Sequence, residues 1–242
     1  GGELLRVDET GFERLGHFRP LQAIGGDRAA REPWRLAAGV LSDLDLADLI
    51  EARYGHHAMA GPLTQLLGEG GVPTTTAAGR LFDAASALLG VCEVASFEGQ
   101  APMLLEARVR EPFALDEGFR IDRGQLDFRP LLAWLADTRD VQRGAEGFHG
   151  TLVAAITTWV KQASRETGLR TVALGGGCMI NRVLASRLPD ALRDAGLQVL
   201  TARRIPPNDA AISLGQAWVA SRAGVNDHTN NPGGERRRAA PV

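Results

Sequence analysis

Three consecutive glycines, Gly175-Gly176-Gly177, follow the apolar run Thr171 to Leu174 and precede a segment of helical character that begins at Asn181. Glycines at a strand-to-helix turn let the backbone come close to a ligand, and the free N–H groups and dipole of the helix start favour an anion such as phosphate. An unliganded tight connection accounts for the same residues about equally well. Asn181 and Arg182 stand one turn on, where an amide can bond a ribose or a base edge; the alternative is a surface position on the first turn. The second feature is Ile205-Pro206-Pro207-Asn208-Asp209, where two prolines stiffen the approach to a final helix. Asp209 reads either as an Asx-type cap of that helix or as a hard oxygen ligand for a divalent metal or a Mg-nucleotide.

Histidine-based metal binding has little support in the spacing. None of His17, His56, His57, His149 and His228 has a second histidine four residues away. Adjacent His56 and His57 are expected to point about 100° apart on a helix and to be exposed. His149 is expected to pack or cap at a helix start. Cys92 and Cys178 are too few for a disulfide framework or a cysteine-based zinc site.

The elements that must position these groups follow from apolar spacing and turn residues. Leu4 to Val7 and Arg14 to Phe18 read as strands. A helix follows Gly25-Gly26 with Asp27 as its cap, and Pro33 is tolerated near its first turn. Two short helices are expected between Asp43 and Gly70, broken at Gly55 and at Gly61-Pro62. Leu81, Phe82, Ala85, Leu88 and Leu89 lie at helical spacing, with Thr76 as cap and Gly90 as stop, and Asp83 lies beside that stripe. Another helix starts near Ser96 to Gln100. Asp122-Arg123-Gly124 reads as a hairpin turn between two short strands. Helical spacing resumes at Pro130 and again in a long helix through Phe148, Leu152, Ala155, Ile156, Trp159 and Val160, which Gly168 stops. Strand Thr171 to Leu174, helix Asn181 to Ala195, strand Gln198 to Leu200 and a helix from about Asp209 complete an α/β pattern. Residues 224–242 lose the apolar spacing and are expected to be a disordered tail.

The chain has 242 residues, 44% of them apolar, enough for one generous domain or two small ones. It begins with Gly1 rather than Met, so further sequence is expected before it. The absence of a long apolar run or leader pattern predicts a cytoplasmic protein. Nearly all its positive charge is arginine, with Lys161 the single lysine, and the formal net charge is -2. That balance gives no electrostatic case for nucleic acid or a membrane as partner.

Five motifs occur in a fixed order: Gly79-Arg80-Leu81-Phe82-Asp83-Ala84 with Leu88-Leu89-Gly90; Phe97-Glu98-Gly99-Gln100; Phe148-His149-Gly150-Thr151-Leu152; Gly176-Gly177 with Asn181-Arg182; and Pro206-Pro207-Asn208-Asp209 through Ser213-Leu214-Gly215-Gln216. In this the chain resembles the C-terminal part of HypF-type carbamoyltransferases, which mature nickel-iron hydrogenases and are related to the tRNA threonylcarbamoyl transferase. Gly1-Gly2-Glu3 and Gly25 to Pro33 extend the likeness. The resemblance implies a helix-rich α/β lobe with a short mixed sheet, the C-terminal lobe of an actin and sugar-kinase-like (ribonuclease H-like) domain, over residues 1–223. It implies that a carbamoyl-adenylate made from carbamoyl phosphate and ATP passes its carbamoyl group to the C-terminal cysteine thiol of a HypE-type acceptor protein. Carried over by position, Asp83 and Gly99 are ribose and base contacts, Gly176 and Gly177 the phosphate turn, and Asn181 a base or ribose contact. Asp209 becomes a catalytic ligand of a divalent metal, with iron, zinc and magnesium all open.

Two departures stand at the turn itself: Gly175 replaces the usual Ser, and Ile180 the usual Gln. The family's His-x-x-x-His metal ligands lie N-terminal to Gly1, so the implied activity needs a missing N-terminal lobe or subunit. Two other readings are a non-catalytic nucleotide-binding remnant or interaction lobe, and an O-carbamoyltransferase acting on a small molecule.

Overall fold

The computed structural model describes residues 1–9 and 11–229. The chain opens with β1 (Glu3–Asp8) and β2 (Gly11–Phe18), then β3 (Leu21–Gln22), α1 (Asp27–Arg31), α2 (Trp34–Asp43), α3 (Asp48–Tyr54), α4 (Ala60–Glu69) and β4 (Thr74–Thr75). It continues through α5 (Ala78–Leu88), α6 (Gln100–Glu106), β5 (Arg120–Asp122), β6 (Gln125–Asp127), α7 (Arg129–Asp137) and α8 (Val141–Thr167). The last part is β7 (Thr171–Leu174), a 3-10 turn over Gly177–Ile180, α9 (Arg182–Asp194), β8 (Gln198–Thr201), a 3-10 turn over Asp209–Ala211 and α10 (Ile212–Thr229). This is the helix-rich α/β architecture expected, with a mixed sheet in the order β1-β2-β6-β5, whose single parallel pair is β2 with β6.

Helices α2 and α5 form the centre. Trp34 to Leu41 and Leu81 to Leu88 are buried without interruption, as expected for helices enclosed on every side. Small residues let them approach: Ala37 and Ala38 on one, Ala84, Ala85 and Ala87 on the other, all at most 2% exposed. Around them Phe82, Phe148, Leu105, Leu131 and Trp159 join one continuous core. A smaller cluster of Val160, Leu188, Leu192 and Leu197 packs under β7 and β8, which pair in parallel. This arrangement fixes the turn between β7 and α9 against the end of the main core.

Several local expectations change. What reads as one helix through Pro33 is two, because Pro33 stands as the N-cap residue of α2. Asp27 is the first residue of α1 rather than its cap, and Gly26 occupies the cap at φ 54°. Gly61-Pro62 does not break a helix but lies in the first turn of α4, where a missing N–H costs nothing. Thr76 does not cap α5; its hydroxyl donates to Glu3 Oε1 at 2.5 Å, tying β1 to that helix start. The long helix starts at Val141, eight residues before His149, capped by Asp140, whose side chain accepts from Arg143 N. The expected hairpin is present: Arg123 and Gly124 both take positive φ, 45° and 79°, the two-residue turn that matches strand twist. Of the expected tail, α10 includes positions 224–229, and positions 230–242 lie outside the described residues.

Candidate functional site

Asp83 is a buried carboxylate, and burying a charge is costly. It is 6% exposed on α5, in contact with Arg80 one turn earlier, whose Nη1 donates to Asp83 Oδ2 at 2.5 Å. Burial pushes its carboxyl up to about 6 against the pull of Arg80, and Glu98 adds repulsion in the same direction. Sequence reasoning overlooked Arg80, although its spacing three residues before Asp83 on a helix is the signal for such a pair.

The influence of Glu98 on Asp83 places the start of α6 beside α5. There Gly99 caps α6 in the left-handed region at φ 82°, and no atom lies within 4 Å of where a Cβ would stand. The Gly177–Ile180 turn also packs against α5. Cys178 in that turn senses both Asp83 and Arg80, and burial raises its thiol. Helix α5, with Asp83, therefore has both the start of α6 and the Gly-rich turn as neighbours, groups that span nearly a hundred positions of sequence.

The turn is open. Gly175, Gly176 and Gly177 have nothing within 4 Å of an added Cβ, and Gly176 takes φ 99° with ψ 158°. The Gly176 N–H is already used, donating to Pro207 O at 2.6 Å. That bond brings the Pro-Pro-Asn-Asp segment alongside the turn. It leaves the N–H groups of Gly177 and Cys178, which begin a helical turn and so lack acceptors within it. Asp209 itself is exposed in the first position of its 3-10 turn, while Asn208 performs the capping, its Oδ1 accepting from Ala210 N at 3.3 Å. The cap reading of this segment thus fits Asn208, one residue before Asp209.

Asn181 has another occupation than ligand contact. Its Oδ1 accepts from Val183 N and Leu184 N, both at 3.1 Å, capping α9. Its Nδ2 lies 3.0 Å from Nε2 of His149, which is fully buried. The roles of the imidazole are determined by its other nitrogen: Nδ1 is 2.8 Å from Ala145 O, which can only accept, so Nδ1 carries the proton and Nε2 accepts from Asn181. His149 is thus a neutral strut in the middle of α8, not a residue at a helix start, and it holds the cap that follows the Gly-rich turn. Arg182 adds a tie, its Nε donating to Glu106 Oε1 at 2.6 Å and linking α9 to α6.

Replacing His149 with alanine is expected to cost about 2 to 4 kcal/mol, since it leaves a cavity and an unpaired buried amide. Burial lowers the His149 pKa, so its contribution is complete above the free imidazole value of about 6.5 and is lost as the pH falls. Urea denaturation at pH 5 and pH 8 reads both effects; an alanine variant as stable as the wild type at pH 8 would exclude the strut.

Asp209 does not stand in a complete donor set. Among the described residues the one group of three or more potential ligand side chains that converge is His56, His57 and Glu93, which does not include Asp209. One exposed carboxylate supplies a single oxygen, so the metal expected at Asp209 is not held by the described residues alone.

Comparison with known proteins follows the same outline. Residues 1–216 match the family described as carbamoyltransferase, Kae1-like domain, second subdomain. The chain is 42% identical over 257 aligned positions to carbamoyltransferase HypF2 of Cupriavidus necator, covering 93% of this chain and 32% of that protein. It is 43% identical to carbamoyltransferase HypF of Rhizobium leguminosarum bv. viciae, with 95% and 31% covered. The crystal structure of full-length HypF in the phosphate- and nucleotide-bound form superposes with a TM-score of 0.80 at 28% identity, over 91% of this chain and 30% of that one. The chain spans about a third of the length of these relatives.

Proposed function

The chain belongs to the HypF-type carbamoyltransferases, in the second subdomain of their Kae1-like domain, and from that premise we propose that it forms one wall of a carbamoyl-adenylate site. The observation that carries this reading is that α5, which holds Asp83, packs against both α6, which Gly99 caps, and the Gly177–Ile180 turn, with Pro207 bonded to Gly176. An ionised Asp83 is a double acceptor suited to two ribose hydroxyls. Gly99 leaves room for a base or sugar. The Gly177 and Cys178 N–H groups would be the donors to phosphate. Asn181 acts by fixing the helix start behind the turn.

The reaction is transfer of the carbamoyl group to the C-terminal cysteine of a HypE-type acceptor, in the cytoplasm, during nickel-iron hydrogenase maturation. The sulfur attacks the carbamoyl carbon, the bond from that carbon to the phosphate oxygen breaks, AMP leaves, and the thiol proton is lost to solvent. A second lobe is needed to close the site. The described surface supports this: Leu214, Trp218 and Val219 of α10 are 54% to 66% exposed, and an open groove of about 700 Å³ runs beside them past Ile205. Apolar surface of this kind calls for a covering partner. No helix among the described residues is long and apolar enough to cross a membrane. Asp209 would supply one oxygen ligand to a divalent metal completed from that second lobe, which would polarise the carbamoyl carbonyl when bound.

The test is to combine the chain with an N-terminal segment supplying the other lobe and to measure carbamoylation of an acceptor thiol. Asp209→Ala is expected to lower the rate by about two orders of magnitude or more. Failure of the combined protein to carbamoylate the thiol, or full activity of Asp209→Ala, would exclude this function.

A further inference from the structure

We propose that Nε2 of His56, Nε2 of His57 and Oε2 of Glu93 form a binding site for a divalent transition metal of the zinc class. These three atoms lie within 4.8 Å of one another, and each imidazole Nε2 is 2.8 Å from the same Glu93 oxygen. Ligands of a tetrahedral zinc ion sit about 2.0 to 2.2 Å from the metal, hence roughly 3.3 to 3.5 Å from each other. Opening each contact by about half an ångström therefore admits the ion.

The expectation that adjacent histidines diverge fails here for a physical reason. His56 and His57 are not on a helix but in the turn between α3, which ends at Tyr54, and α4, which begins at Ala60. Both rings turn to one side, with centroids 4.3 Å apart. His57 is held from behind by Trp34, stacked on it at 4.6 Å and 4° between planes. The backbone N–H of Trp34 donates to the backbone carbonyl of Glu93 at 3.2 Å, so the same residue steadies both sides of the site. Tyr54 is not available as a ligand, because its hydroxyl donates to Ala87 O. Two imidazoles and a carboxylate suit zinc, and three protein ligands leave a fourth position for water. The ion joins the α3–α4 turn to the segment that leads from α5 to Gly99. None of this depends on the carbamoyl-transfer reading, and the site shares no residue with Asp209 or Asp83.

Calorimetric titration of the metal-free full chain with zinc chloride tests it. One zinc per chain is expected, retained in Asp209→Ala and weakened at least about tenfold in Glu93→Gln, His57→Gln and His56→Gln. Zinc is also expected to raise the melting temperature of the wild type and not of Glu93→Gln. His56 has 60% of its side chain exposed, so His56→Gln keeps its fold and decides the matter even if the other variants do not. Absence of zinc binding by the wild type, or binding unchanged in His56→Gln and Glu93→Gln, would overturn the site.

Discussion

Replacing Gly150 with alanine is expected to destabilise the chain by about 3 kcal/mol or more, at the severe end for adding one methyl group. The added Cβ would stand 2.1 Å from Phe113 O, 2.3 Å from its carbonyl carbon and 2.6 Å from its N. Backbone atoms cannot swing aside as a side chain can, and this stretch is pinned on both flanks. Phe113 N donates to Glu146 O, Leu115 N to Thr151 Oγ1 at 2.9 Å, and Arg110 N and Glu111 N both to Glu146 Oε1. The contrasting substitution is Gly79→Ala on α5. There nothing lies within 4 Å of the new methyl and the backbone is helical, so a gain of about 0.5 to 1 kcal/mol is expected. Urea denaturation of the two variants side by side measures the difference. Equal midpoints would mean that α8 and the Phe113 segment do not meet as closely as they do in this structure.

That pair of glycines shows what could and could not be read beforehand. The Phe148-His149-Gly150-Thr151-Leu152 motif was visible as a pattern, and the helix that carries it was evident from apolar spacing. Its purpose was not, because Gly150 and Thr151 answer to Phe113 and Leu115, thirty-six and more positions away. The elements themselves were largely readable, since strands, helices and glycine stops leave local marks. Boundaries failed where a tertiary bond replaced the local one, as at Thr76, whose hydroxyl serves Glu3 in place of the helix N-terminus. The members of the candidate site were named in advance through their likeness to a family. Their internal chemistry emerged only with coordinates: Asn181 committed to a cap and a buried His149, Gly176 to Pro207, and Asp83 to Arg80. His56 and His57 depart most from their spacing, because adjacent residues diverge on a helix but turn to one side in the turn between α3 and α4.

Asp83→Asn is expected to move stability and ligand binding in opposite directions. A carboxyl whose pKa rises on folding from 3.8 to about 6 contributes its full stability below the unfolded value and loses it as the pH climbs through the folded one. At pH 8 the ionised group therefore costs the folded chain up to about 3 kcal/mol, at 1.36 kcal/mol per pKa unit. Asparagine removes that cost, in which the pull of Arg80 is already included, so a net gain of up to about 3 kcal/mol is expected at pH 8, vanishing near pH 4. Asparagine also replaces an ionised double acceptor with a single neutral one. On the proposed reading, nucleotide affinity of the chain combined with its N-terminal lobe should fall about a hundredfold, the equivalent of one or two hydrogen bonds to a charged group. In the wild type the same affinity should weaken as the pH drops below about 6, where Asp83 takes up its proton, while Asp83→Asn shows no such dependence. Denaturation curves at pH 4 and pH 8, paired with nucleotide titrations across that range, separate the possibilities. A variant that is less stable than wild type at pH 8 would mean that the Arg80 pair outweighs burial. A variant that binds nucleotide as the wild type does would remove Asp83 from the site. If both expectations hold, a buried carboxylate that weakens this fold near neutral pH is there for the ligand it meets, which is the physical mark of a functional residue rather than a structural one.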